Sequence, residues 1–241
     1  METFAGDFST LWTLNQRPPI EHLTWDWWWW LVMLDDDEHP MAGKQLMVLW
    51  STKENDHVQI NDVEWKPKGT PGFDDQGAIQ IDGMVCAWWF DGSVMHDEII
   101  AKVCDMVVLP SDHTSWPGKE GQGGGAVVPL LEGDCSMGML PDRSQFWLNL
   151  DIEHEAVQSI QLKMTPWNPA MSTAREATAT YLGSLGYDIL RLHGTKVSGI
   201  IDGKDVSGTA YFQKVCVQAP SVPWYWGVLH FSDGSYLDWF L

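Results

Sequence analysis

The sequence predicts an all-β protein, an antiparallel barrel with one or two short helices. Three observations carry this. Strand-length runs rich in β-branched and aromatic residues follow one another through most of the 241 residues. Three Asp-Gly pairs, Asp91-Gly92, Asp202-Gly203 and Asp233-Gly234, stand between such runs, where tight hairpin turns favour this dipeptide. Only one segment, Asn168 to Gly186, is compatible with a helix.

Residues 1–22 read as a lead-in. Met1 to Arg17 has neither the basic nor the apolar region of a signal peptide, so none is expected. Trp25 to Leu34 is the first strand and carries an aromatic block; Lys44 to Thr52 is the second and His57 to Trp65 the third. Pro and Gly make Lys66 to Gln76 a loop. Ala78 to Phe90 and Met95 to Leu109 are strands on either side of Asp91-Gly92. Pro110 to Gly125, containing GKEGQGGG, is a second loop. Phe146 to Trp167 alternates, with a break expected near Ala156. Within Asn168 to Gly186, MSTAREATATYLGSLG suggests a short helix capped by Ser172 or Thr173. Tyr187 to Ile201, Val206 to Gln218, Trp224 to Phe231 and Ser235 to Leu241 complete the strands. So long a sheet usually curls and closes, because closure removes its edges. One barrel domain over residues 1–241 is therefore expected, and barrels of about eight to ten strands can hold one small ligand.

Fourteen basic and 33 acidic residues give a formal charge of −19. Nothing in that balance neutralises phosphates, so neither nucleic acid nor an anionic membrane surface is an expected partner. With 44% hydrophobic residues the chain is not an acidic disordered tail. No apolar run reaches the roughly 18 residues of a membrane span. Cys86, Cys104, Cys135 and Cys216 form no Cys-x-x-Cys, which points to buried free thiols and a cytoplasmic location. There is no phosphate loop, no Gly-x-Ser-x-Gly elbow and no metal-ligand spacing, so neither metal nor cofactor is expected.

The anomaly is 16 tryptophans. In Trp25-Asp26-Trp27-Trp28-Trp29-Trp30, alternation puts Trp25, Trp27 and Trp29 on one strand face and Asp26, Trp28 and Trp30 on the other. Both faces are apolar here, whereas a simple sandwich strand leaves one face polar. Core packing explains one row; the sharper reading is that one row lines a ligand cavity. Indoles give flat apolar surface and an N–H that orients a polar group, which suits polycyclic or isoprenoid ligands. Trp28, Trp30, Trp224 and Trp226 are the expected cavity wall, with Tyr211 and Tyr225 as further contacts. His230 shares a face with Trp224 and Trp226 and is a candidate proton donor. Asp26, on the Trp28 face, is a second candidate. Asp151, Glu153 and Glu155 also share a face but read as a solvated outer row.

Three segments carry a resemblance. Asp26-Trp27-Trp28-Trp29, then YDILRLHGTKVSGIIDGKDVSGTAY at Tyr187 to Tyr211, then Trp224-Tyr225-Trp226 with Asp233-Gly234, match in order and spacing over about 60 residues. Together they resemble the family of carotenoid 1,2-hydratase (hydroxyneurosporene synthase) and the AttH-like lipocalin-like proteins, which also includes fungal Diels–Alderases. The resemblance implies a calycin or lipocalin-like barrel, of which this chain supplies the first of two, and metal-free chemistry or binding on an apolar molecule. Hydratase relatives carry an acid-His-x-Trp run where this chain has Gln213, Lys214, Val215 and Cys216. The acid and the histidine are both replaced, which argues against hydration by that route and makes Lys214 the third candidate for catalysis.

The expected function is binding of a small hydrophobic molecule, isoprenoid, terpenoid or polyketide-like, with cofactor-free cyclisation, isomerisation or hydration as its catalytic form. The alternatives are a lipocalin-like carrier without turnover, and a structural domain whose barrel is filled by its own side chains. A second barrel domain or another copy of the chain is the expected protein partner.

Overall fold

The computed structural model describes residues 2–14, 16–36, 38, 43–53, 58–60, 62–65, 72–113, 125–129, 135–220 and 225–240. Among them no helix forms, and hence none long and apolar enough to cross a membrane. The strands are β1 (Thr24–Leu34), β2 (Lys44–Lys53), β3 (Val58–Ile60), β4 (Val63–Trp65), β5 (Gly72–Phe73), β6 (Ile79–Phe90), β7 (Met95–Leu109) and β8 (Ala126–Pro129). They continue as β9 (Ser136–Met139), β10 (Phe146–His154), β11 (Val157–Pro166), β12 (Arg175–Thr180), β13 (Gly186–Ile201), β14 (Lys204–Gln218), β15 (Trp226–His230) and β16 (Tyr236–Phe240).

The strand ladders are all antiparallel. The main sheet runs β11-β10-β9-β8-β7-β6-β2-β1-β14-β13, and a ladder from Ile160↔Ile201 to Pro166↔Thr195 joins β11 back to β13. That ladder curls the sheet into a closed barrel. The first part of β13 pairs with β12 instead, so β11 and β12 share one edge of a single long strand. The Asp-Gly turns do what their chemistry allows. Asp202 and Gly203 both have positive φ, 48° and 76°, as a tight two-residue hairpin turn requires. Asp202 also accepts hydrogen bonds from the backbone N–H of Gln158 and Ser159, tying the β13–β14 turn to β11.

Three expectations need correction. The helix within Asn168 to Gly186 is absent: residues 175–180 are β12, because pairing with β13 outweighs the helix preference of an Ala-rich segment. Ser172 caps nothing; its hydroxyl accepts from Trp167 N–H and donates to the Gly194 carbonyl. The third strand is a small hairpin, β3–β4, apart from the barrel. The closing segment, β15–β16, is likewise a separate hairpin and not part of the barrel wall. The run GKEGQGGG lies outside the described residues up to Gly124.

The core is the barrel interior. Trp28, Trp30, Val32, Trp50, Val48, Phe146, Leu148, Ile160, Leu162 and Phe212 face into it. The lead-in contributes too: Phe4, Phe8, Leu11 and Trp12 are all buried in the same core. They arrive on a segment that forms no strand ladder and is tied down by an isolated bridge, Ala5↔Thr173, and by scattered backbone and side-chain hydrogen bonds. This segment closes the barrel end at which β1 begins. Phe4 packs edge-on against Phe146 at 5.2 Å, and Trp28 Nε1 donates to the Leu11 carbonyl at 2.7 Å. The Trp12 indole lies where a side chain at residue 125 would be: a Cβ on Gly125 would fall 1.7 Å from Trp12 Nε1. Only glycine admits that approach.

Candidate functional site

The residues singled out in the sequence divide between the two faces of the barrel wall. Asp26, Trp28 and Trp30 point inward on β1, and Lys214 points inward on β14, with Trp28 directly opposite Lys214 and Trp30 opposite Phe212. Tyr211 and Trp226 meet on the outer face, where His230 packs against Trp167 at 5.2 Å. The expected common wall of Trp28, Trp30 and Trp226 is therefore corrected, because the β15–β16 hairpin folds back over the outside of β1 and β14. There Trp226 packs on Trp29 at 4.9 Å and Tyr211 at 4.8 Å. Tyr225 is exposed, and Trp224 lies outside the described residues.

Inside, the Asp26 carboxylate accepts a hydrogen bond from Lys214 Nζ, and both side chains are almost wholly buried, 3% and 1% exposed. Lys214 Nζ also donates to the Val215 carbonyl at 3.2 Å and sits 4.7 Å from the Trp28 ring centre. Lys214 lines a cavity of about 230 Å3 together with Thr10 and Gln16 from the lead-in and Glu176, Thr178, Asp188 and Leu190 from β12 and β13. Arg17 closes its rim, reaching Asp188 at 3.3 Å. The buried indole N–H groups of Trp12, Trp30 and Trp50 have no acceptor among the described residues.

Outside, Asp238 on β16 gathers the hairpin onto the barrel. It accepts from Arg191 at 3.0 Å and from Trp226 Nε1 at 2.9 Å, with His193 Nδ1 at 3.5 Å, long for a hydrogen bond. His193 stacks on Tyr236 at 4.6 Å. His230 has both ring nitrogens engaged: Nε2 donates to the His193 carbonyl at 2.6 Å and Nδ1 meets the Thr209 hydroxyl at 2.8 Å. Burial holds both histidines below their ordinary value and pushes the Tyr211 hydroxyl up. With its ring nitrogens occupied and the wall between it and the interior, His230 acts as a clasp for the hairpin.

The opposite barrel end carries a wider mouth of about 680 Å3 lined by Asp35, Asp36, Asp91, Asp202 and Asp205 with Lys44 and Lys204. An outer groove of about 760 Å3 crosses β10, β11 and β13 beside Trp147. Neither places a buried reactive pair against an aromatic wall, as the plugged end does. Sequence reasoning missed that plug, although Phe4, Phe8, Leu11 and Trp12 are large apolar residues crowded into nine positions and could have signalled a buried role.

No family model and no curated protein matches the sequence. Among solved structures, the chain is similar to a crystal structure of a Nitrosomonas europaea protein proposed to be an AttH, with a TM-score of 0.55 and 15% identity. The match covers 98% of this chain and 64% of that one, so this chain spans less than two thirds of that relative's length. The S-type phycobiliprotein lyase CPES of Guillardia theta is similar with a TM-score of 0.26 and 10% identity, over 83% of this chain and 88% of that one. At 15% identity the first is a likeness of fold, and the fold is a lipocalin-like antiparallel barrel.

Proposed function

We propose that this protein binds a small apolar molecule in the Trp-lined barrel end that its own lead-in closes. The observation that carries this reading is the lead-in itself. Phe4, Phe8, Leu11 and Trp12 fill the interior as an apolar ligand would, yet their segment belongs to no ladder of the barrel. Removing it leaves every strand ladder intact, frees the Trp28 N–H from the Leu11 carbonyl and opens a path to Trp28, Trp30 and Trp50. The unpartnered N–H groups of Trp30 and Trp50 favour a ligand that carries an oxygen acceptor, because a buried donor left unpaired costs about 1–3 kcal/mol. Isoprenoid, terpenoid and polyketide-like molecules fit that description. A carrier role needs nothing more. A catalytic role, cofactor-free cyclisation or isomerisation, draws support from Asp26 and Lys214, which are buried beside the Trp28 face where an indole stabilises a cationic intermediate.

The test is a variant lacking residues 1–14. Binding of an environment-sensitive apolar dye, followed by emission and by quenching of tryptophan fluorescence, should tighten relative to the full chain while the β circular dichroism spectrum is kept. A folded truncated barrel that binds the dye no better than the full chain would sink the proposal and favour a barrel filled for structural reasons alone.

A further inference from the structure

We infer that Lys214 captures a small apolar aldehyde or ketone as a protonated imine, with Asp26 as its counter-ion. This rests on the binding reading above for its site and adds the class of ligand.

Stability does not account for the Asp26–Lys214 pair. Lysine and aspartate are almost never fully buried unless paired. Even when paired, they stabilise a core no better than apolar residues of the same size, because desolvation offsets their attraction. Here Lys214 has the Trp28 ring on one side and on the other forms part of the wall of a cavity that Thr10, Gln16, Glu176, Thr178 and Leu190 also line. Asp188, at the rim of the same cavity, is taken up by Arg17 and by the Thr178 hydroxyl at 2.6 Å, which leaves Asp26 as the carboxylate bonded to Lys214. A lysine amine in a water-poor site beside a proton acceptor is the arrangement that attacks carbonyl carbons. Of the other described lysines, Lys102, Lys163, Lys196 and Lys204 are exposed, and the half-buried Lys44 is held by Asp36 at 3.4 Å at the opposite barrel end.

The step balances within the site. Asp26 takes a proton from the Lys214 ammonium. The freed lone pair on Nζ forms a bond to the carbonyl carbon while the C=O π pair moves to oxygen, and a proton shift from nitrogen to oxygen gives a neutral carbinolamine. Asp26 returns its proton to the carbinolamine hydroxyl, the C–O bond breaks, and water leaves. The product is an iminium at Nζ with one positive charge, equal to that of the ammonium it replaces, opposite the restored Asp26 carboxylate. Nothing is oxidised or reduced and no co-reactant is required. The Trp28 ring, 4.7 Å from Nζ, lies where it stabilises that cation.

The full-length protein is incubated with cinnamaldehyde, small enough to enter the existing cavity without displacing the lead-in, and reduced with cyanoborohydride. Peptide mapping by mass spectrometry should find the adduct on Lys214 ahead of Lys102, Lys163, Lys196 and Lys204. The unreduced mixture should show the red-shifted absorption of a conjugated protonated imine. Lys214→Arg, which keeps the ion pair and removes the nucleophile, should lose both signals, and Asp26→Asn should shift the absorption band because the counter-ion changes. Adducts confined to the exposed lysines, or an absorption band that survives Lys214→Arg, would overturn the inference. Dye binding by the variant lacking residues 1–14 is scored separately: if it tightens while Lys214 stays unmodified, the binding reading stands and this one falls.

Discussion

At the residue scale the molecule turns on Asp26 and Lys214. Removing one partner leaves a lone charge in the core, so Asp26→Asn should cost about 3–5 kcal/mol of stability. The double replacement Asp26→Leu with Lys214→Met should recover most of that loss, and urea unfolding of the two variants decides the matter. Trp28 is fully buried against the lead-in, so Trp28→Ala should cost about 3–5 kcal/mol in the same assay. The half-buried Trp226 should cost less. Alternation alone placed Asp26, Trp28 and Trp30 on one face, since side chains of a strand alternate whatever the strand pairs with. It did not reveal Lys214 as the partner of Asp26. Those residues are 188 apart, and only the register of β1 against β14 brings them together. Nor does alternation say which face becomes the inside, which is why Trp226 was expected beside Trp28 and lies instead behind it.

At the element scale, three appendages lie against the barrel among the described residues: the lead-in at one end, the β15–β16 hairpin on the outer wall, and the β3–β4 hairpin, whose Val63 packs against Met84 and Cys86. The β15–β16 hairpin's anchorage is pH-dependent. Burial is the main cause holding His193 and His230 low; for His193, Arg191, Arg175 and His230 add to it and Asp238 opposes it. The folded state therefore binds fewer protons than the unfolded chain below the ordinary histidine value of about 6.5. Stability is fully present above that pH and is lost as pH falls through the folded values. Thermal melting should show a lower Tm at acidic than at neutral pH, and His230→Gln should flatten the slope. The lead-in's seat depends on Gly125. Gly125→Ala places a methyl inside the Trp12 ring, so hydrogen exchange in residues 2–14 should quicken while the barrel strands stay protected. The strands of the barrel wall were legible because Asp-Gly turns and period-two runs are local signals. β12 was not: its Ala and Thr residues alternate as a strand's do, but the helix preference of the stretch masked a pattern that only pairing with β13 makes decisive.

At the scale of the whole molecule, all four cysteines are buried and free. Burial pushes the Cys86 and Cys104 thiols up to about 12 and Cys216 to about 11, so few are thiolates at neutral pH. A thiol-disulfide reagent should react slowly with the native protein and should titrate four thiols after denaturation without reductant. The order of strands in the wall has a further consequence, for the nascent chain. β1 is flanked by β2 and β14, so the strand bearing TWDWWWWLVML gains its second neighbour only after β2 to β13 have all been made. Until then one edge of a tryptophan-dense, uncharged-but-for-Asp26 strand is open to pairing with other chains. The net charge of −19, spread over the rest of the sequence, supplies a mutual repulsion that opposes such encounters on the ribosome. Expression at high salt, where that repulsion is screened, should therefore lower the soluble yield of newly made protein far more than it disturbs barrels that have already closed.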